Sequence, residues 1–293
     1  MKISVVIVTR NRNRDCTETV ESLLKQTMLP EEIIVVDSGS SAPFAYEHPK
    51  VRVIRINAEI GLSMSRNVGI RASKGDIVAF IDDDAIAYED WIEGIFNSIK
   101  NADIVGGPVS PLYLSAPPQW MNDATVKPFL GLATGCLQNH VIGCNMAMRR
   151  EVFEKVGYFS RALGRNHGKL LSGEETEFFL RAQRCGIKIE SAKIMKVSHK
   201  VLPYRLTFQY LLNRFMWQGV TDYIVSNKQK EKFGVLTRAG GGIILECVRI
   251  IVLRGRRLSL LRIAIRIGQL YGLIYSDSVT DSVALMRTMR TTD

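Results

Sequence analysis

The sequence predicts an α/β fold, a mostly parallel, doubly wound sheet with helices on both faces, followed by a helical, basic C-terminal region. Three observations predict it. Short β-branched apolar runs alternate with helix-like segments through the first hundred or so residues. Polar or acidic residues follow each run at once, as they do at the carboxyl ends of an open sheet where ligands bind. The charge is also uneven: residues 1–195 carry 23 basic and 23 acidic side chains, residues 196–293 carry 16 and 6, and the last third therefore holds the whole net charge of +10.

The elements follow in order. Ile3–Val8 is a continuous apolar run, predicted as a buried strand. Asp15–Thr27 places Val20, Leu23 and Leu24 among polar residues, a helical spacing. Glu32–Val36 and the alternating Val51–Ile56 are the next two strands, Leu62–Ala72 a helix, and Ile77–Ile81 a strand ending in Asp82-Asp83-Asp84. Tyr88–Lys100 reads as a helix and Ile104–Val105 as a strand. The β-α-β order implies right-handed crossovers and a sheet covered on both faces.

Composition narrows the class. With 46% hydrophobic and 23% charged residues the chain is globular rather than disordered. The five cysteines, at 16, 136, 144, 185 and 247, form no CxxC pair and no Cys/His zinc spacing. The N-terminal apolar run lacks a small-residue cleavage site, so no signal peptide is expected, and no uncharged apolar stretch is long enough to span a bilayer.

Polar groups gather after each strand: Thr9-Arg10-Asn11, Asp37-Ser38-Gly39-Ser40, Asn57 with Gly61–Asn67, and Asp82–Asp84. Three adjacent carboxylates repel one another unless a cation or hydrogen-bond donors compensate them. A divalent ion with hard oxygen ligands is one remedy and could also bridge a diphosphate. The structural alternative is an acidic turn capping the next helix.

These segments, SVVIVTRNR, IIVVDSGS, GLSMSRNVGI and FIDDDA, and after them GCNMAMRREVFEKVGYFS and SGEETEFFLRAQRCGIKI, resemble family 2 glycosyltransferases of the GT-A fold over roughly residues 1–200. The resemblance implies a GT-A catalytic domain at 1–200 and a helical, basic appendage at 201–293. It implies that Thr9, Asn11 and Asp37 hold the nucleoside of a sugar nucleotide, that Arg66 lies near the ribose and phosphates, and that Asp82 and Asp84, with Asp83 between them, touch the ribose and a Mn²⁺ or Mg²⁺ ion. Asn145 falls in a segment that the family places beside the donor sugar. For Asp37 the structural alternative is a cap or Asx turn, and for Arg66 a solvated helix face.

Ser172–Glu177 has two readings. Ser172 with Glu175 is a capping-box pattern, and Glu177 with Arg181 an i,i+4 pair. By resemblance, the segment supplies the general base of inverting transfer, which must reach the acceptor hydroxyl. The family's usual Glu-Asp is Glu-Glu here, so Glu175 matches by position with one extra methylene, and Glu174 is the fallback. His199, in V-S-H-K, falls about where the family places a further metal ligand; an imidazole beside oxygen ligands leans toward Mn²⁺.

Beyond residue 200, a helix is expected over PYRLTFQYLLNRFMWQG from Pro203, a break at Gly240–Gly242, and an apolar run at Ile243–Leu253 flanked by Arg254, Arg256 and Arg257. Ser259, Arg262, Arg266 and Gln269 then form one polar stripe on a Leu/Ile/Tyr surface. This pattern fits a helix lying in an anionic membrane interface, or a helical subdomain with a solvated basic edge.

The expected activity is inverting, metal-dependent transfer from a nucleoside-diphosphate sugar to a hydroxyl of a glycan or lipid-linked acceptor in polysaccharide biosynthesis, with the protein peripheral on the cytoplasmic face of the membrane. The alternatives are transfer to polyprenyl phosphate, which needs no base, and a non-enzymatic membrane or nucleic-acid binder. With the catalytic reading, no nucleic-acid partner is expected.

Overall fold

Alternation along the strands builds two cores at once. In β1 (Ile3–Thr9), Ile3, Val5 and Ile7 join one buried cluster and Val6 the other. In β2 (Glu32–Ser38), Ile33 and Val35 oppose Ile34 and Val36 in the same way. A sheet buried on both faces must read as an uninterrupted apolar run, which explains both segments. The computed structural model describes residues 1–122, 141–225, 238–247 and 256–288. They fall into one unit of Met1–Arg161 with Glu174–Leu206, and another of Ala162–Gly173 with the residues from Thr207 onward.

In chain order the first unit contains β1, α1 (Asn13–Leu24), β2, β3 (Val51–Ile56), α2 (Leu62–Ala72), β4 (Ile77–Ile81), β5 (Ala85–Ala87), α3 (Trp91–Ser98), β6 (Ile104–Gly106), β7 (Val109–Tyr113), β8 (Asn145–Arg149), α4 (Arg150–Val156), α5 (Glu174–Arg184), β9 (Ile189–Ser191) and β10 (Val197–Val201). Seven strands form one sheet in the order β3-β2-β1-β4-β8-β6-β9. The pairs among β3, β2, β1 and β4 are parallel, and β8 runs antiparallel to both β4 and β6. α1 and α3 cover one face through Cys16, Val20, Leu23, Trp91, Ile92 and Ile95. α2, α4 and α5 cover the other through Ile70, Val152, Phe153, Phe178 and Ala182. The expected α/β class, mostly parallel with helices on both faces, is the observed one.

A second, three-stranded sheet, β5-β10-β7, departs from the reading of alternating strands and helices. β10 pairs antiparallel with β5, setting His199 opposite Ala85. Since β5 follows the acidic triplet directly, this register carries His199 to Asp84. At Gly107, between β6 and β7, a Cβ would sit 1.6 Å from the Met195 carbonyl oxygen, so only glycine permits the chain to pass there.

In the second unit, α6 is Phe208–Val225, α7 comprises residues 238–247 and α8 is Arg256–Thr288. The helix expected from Pro203 begins later. Pro203–Leu206 is a 3₁₀ turn, and Thr207 Oγ1 accepts from the Tyr210 backbone N–H at 3.2 Å, capping α6. The expected break at Gly240–Gly242 is also corrected, because all three glycines lie inside α7. The missing Cβ of Gly242 leaves room for the Arg266 side chain, whose Nε lies 2.7 Å from where that carbon would be. The polar stripe of α8 is therefore not wholly solvated: Arg266 lies against α7, and Arg262 reaches Glu246 at 3.7 Å. Residues 248–255, with Arg254, lie outside the described residues. Among the described residues no helix is long and apolar enough to cross a membrane.

Candidate active site

The acidic triplet follows β4 directly, and Arg12 Nη1 bridges two of its three carboxylates. Asp84 is almost fully buried. Its Oδ2 accepts from Arg12 Nη1 at 2.6 Å and from Arg205 Nη2 at 2.8 Å, and its Oδ1 lies 3.1 Å from His199 Nε2. Burial opposes ionisation of Asp84, but His199, Arg205 and Arg12 together hold its carboxyl well below the usual carboxylate range. Asp83 accepts from Thr9 Oγ1 at 2.8 Å and from the same Arg12 Nη1 at 3.2 Å. Burial, with the charge of Asp84 beside it, pushes Asp83 up to about 7. Asp82 is the more accessible of the three, and accepts from Arg66 Nη2 at 3.2 Å.

Arg66 joins this strand end to the first turn of α5. Its Nη1 donates to Glu174 Oε1 at 2.7 Å and its Nη2 to the Gly143 carbonyl at 3.0 Å. A Cβ on Gly143 would lie 3.2 Å from both terminal nitrogens of Arg66 and 3.5 Å from the Glu175 carboxyl carbon, so the glycine lets these groups share a small space. Arg66 is buried rather than on a solvated helix face. Glu177 makes the expected i,i+4 pair, bidentate to Arg181 at 2.7 and 2.9 Å. Ser172 Oγ engages Gln218 and Arg214, at 3.3 and 3.0 Å.

Thr9 and Asp37 are paired in the β1–β2 register, and Asp37 lies wholly beneath its own loop. It accepts from the Ser40 and Phe44 backbone N–H groups and from Arg55 Nη1, at 3.1, 2.9 and 2.7 Å. Burial opposes ionisation, yet these donors hold its carboxyl below the ordinary 3.8. The bond to Ser40 is the turn-type interaction weighed above. Asn11, with a φ of 56°, accepts from Ser41 N at 2.8 Å and Ser41 Oγ at 3.0 Å, which joins the loops after β1 and β2.

The expected residues thus assemble in three groups: Asp82, Asp84 and His199; Arg66, Glu174 and Glu175; and Thr9, Asn11 and Asp37 at the neighbouring strand ends. Asn145 stands apart. Its Oδ1 accepts from Trp91 Nε1 at 2.8 Å, and its Nδ2 donates to the Pro108 and Met195 carbonyls at 3.1 and 2.8 Å. All three bonds hold the protein frame, so its amide is not presented to a ligand. Three residues that the sequence did not single out also bear on the site: Arg12, Arg205 and Arg55. Arg12 lies in the basic Arg10–Arg14 run after β1, which was the available signal; Arg55 and Arg205 had none.

One ligand atom each from Asp82, Asp84 and His199 lies within 4.8 Å of the others. Two carboxylates and an imidazole suit Mn²⁺ or Mg²⁺. His199 Nδ1 is buried with no hydrogen-bond partner among the described residues. The donor set therefore fits a divalent ion.

The sequence profile described as Glycosyl transferase family 2 matches residues 4–157. The Glucosyl-dolichyl phosphate glucuronosyltransferase of Haloferax volcanii is 32% identical over 244 residues, covering 77% of each chain. The mannosyltransferase PcManGT from Pyrobaculum calidifontis, solved with GDP-Man and Mn²⁺, superposes with a TM-score of 0.56 at 17% identity, covering 97% of this chain and 75% of that one. GalNAc-T7, solved with UDP, GalNAc and Mn²⁺, gives 0.54 at 19% identity over 75% of this chain; the present chain spans about half of its length, 48%. At these identities the two structures bear on the fold alone. The profile covers more than half of the sequence, and the chain belongs to glycosyl transferase family 2 and is a glycosyltransferase.

Proposed function

We propose that this glycosyltransferase moves a sugar, with inversion, from a nucleoside-diphosphate sugar to a hydroxyl of a glycan or lipid-linked acceptor. The observation that carries the reading is the junction at Arg66, which sets the Asp82/Asp84/His199 group beside the Glu174–Glu175 turn of α5. Family membership removes the non-enzymatic alternative.

Asp82, Asp84 and His199 would hold Mn²⁺ or Mg²⁺; such an ion supplies positive charge against the departing diphosphate. Thr9, Asn11 and Asp37 belong to the loops that would receive the nucleoside, Asp37 by shaping its loop. Glu174 is engaged by Arg66, and Glu175, which matches the family's base by position, is the base taking the acceptor hydroxyl proton onto a carboxylate oxygen. The Haloferax relative, by its name, acts on a sugar already carried on dolichyl phosphate, which supports a lipid-linked acceptor. Such an acceptor calls for a membrane surface, proposed to be the anionic cytoplasmic leaflet. Leu260, Ile267 and Tyr271 of α8 are exposed, as are Ile244 and Leu245 of α7, within a strongly basic segment.

The test is transfer from a panel of nucleotide sugars, with the anomeric configuration of the product read by NMR. An inverted product is expected; a retained one contradicts the proposal.

A further inference from the structure

We infer that Arg12 is an exchangeable cation at the Asp82/Asp84/His199 site, competing with a divalent ion for Asp84, whereas Arg205 holds that carboxylate throughout. This rests on the metal reading above.

Three basic groups crowd the one buried carboxylate of Asp84. Arg12 and Arg205 share its Oδ2, and His199 faces its Oδ1. A divalent ion arriving there meets two guanidinium charges a few ångströms away, and like charges at that range in a buried site strongly disfavour one another. The cheapest relief is for one arginine to leave.

The two differ in what leaving costs. The Arg205 side chain is 3% exposed and sits in the 3₁₀ turn after β10, so turning it away would strand a buried charge. The Arg12 side chain is 24% exposed. Its Nη2 already reaches outward to the hydroxyl of half-exposed Tyr204, at 3.3 Å. Asp83 loses one partner when Arg12 leaves but keeps Thr9 Oγ1 as a donor. Arg12 can therefore swing toward solvent at lower cost than Arg205. Released, its planar fork of N–H donors is of the kind that suits phosphate oxygens. Arg205, left on Oδ2, keeps Oδ1 turned toward His199.

The test is binding of Mn²⁺ alone, without nucleotide, followed by electron paramagnetic resonance. R12Q is expected to bind Mn²⁺ about tenfold more tightly than the unmodified protein, and R12K about equally. Tighter binding by R12Q, even where the unmodified protein binds too weakly to measure, supports the inference. Measurable binding by the unmodified protein with R12Q equal or weaker overturns it and leaves the metal reading standing. No binding by either overturns both. Should R12Q not fold, the unmodified protein decides through its ¹⁵N-arginine spectrum during Mg²⁺ titration. Faster exchange of the Arg12 side-chain protons, with Arg205 unchanged, is expected; Arg12 signals that stay fixed overturn the inference.

Discussion

Arg66 and Glu174 form a buried ion pair, 2.7 Å from Nη1 to Oε1, linking a helix behind the third strand to a carboxylate 108 residues later. The pair is the joint between the proposed metal group and the proposed base. Glu174→Ala removes the shortest hydrogen bond of the guanidinium and leaves it those to Asp82 and the Gly143 carbonyl. Breaking one side of a buried pair costs about 3–5 kcal/mol, so a loss of that size is expected in urea unfolding. A loss below about 1 kcal/mol would show that Arg66 is satisfied without Glu174.

Glu175→Gln keeps the shape of the side chain and removes its proton acceptor. Turnover is expected to fall by about 10²–10⁴-fold with melting temperature little changed. A rate near that of the unmodified enzyme would move the reading toward polyprenyl phosphate, an acceptor already ionised. A lowered melting temperature with unchanged turnover would give Glu175 a capping role instead.

Asp37 supplies a pH dependence. Its carboxyl is held below its ordinary value of 3.8 in the folded protein, so it binds fewer protons there than in the unfolded chain. The stability it contributes is present above about pH 4 and is lost as pH falls further through the folded value. Asp37→Asn is expected to lower the melting temperature at pH 7, with the gap to the unmodified protein narrowing toward pH 3. A gap that stays constant with pH contradicts this account of the Ser40, Phe44 and Arg55 contacts.

Much of this arrangement was legible in the sequence, and the gaps have physical reasons. β3, α2 and β4 end where the sequence pattern placed them: β3 alternates, α2 starts just after Gly61, and β4 is an apolar run between Asp76 and Asp82. β5 and β7 to β10 were not foreseen. They are three to five residues long, too short for a period to register, and their pairing is set by tertiary contact. The same contact brings Arg205 onto Asp84 across 121 positions, a relation that spacing does not carry. Gly240–Gly242 suggested a break because glycine disfavours helix, but all three lie inside α7, where Arg266 packs against Gly242. Asn145 looked like a site residue because of its motif, and the bonds it makes to Trp91, Pro108 and Met195 belong to the frame.

The basic C-terminal third should bind anionic membrane. Each arginine near such a surface contributes about 1 kcal/mol, and the exposed Leu260, Ile267 and Tyr271 add an apolar part that salt does not screen. Sedimentation with anionic liposomes should show binding that weakens but persists in high salt. Replacing Arg254, Arg256, Arg257, Arg262 and Arg266 with glutamine should reduce it. Equal binding to neutral liposomes would contradict the role of the arginines, and none to either would make the region a packed subdomain only.

The central claim is tested most directly at Asp84. Release of nucleoside diphosphate from a panel of nucleotide sugars, with an acceptor lipid extract, is measured with Mn²⁺, with chelator, and with Asp84→Asn. Turnover that needs the metal, and that Asp84→Asn abolishes without unfolding the protein, is the predicted result. Full turnover in chelator, or in the variant, would contradict it.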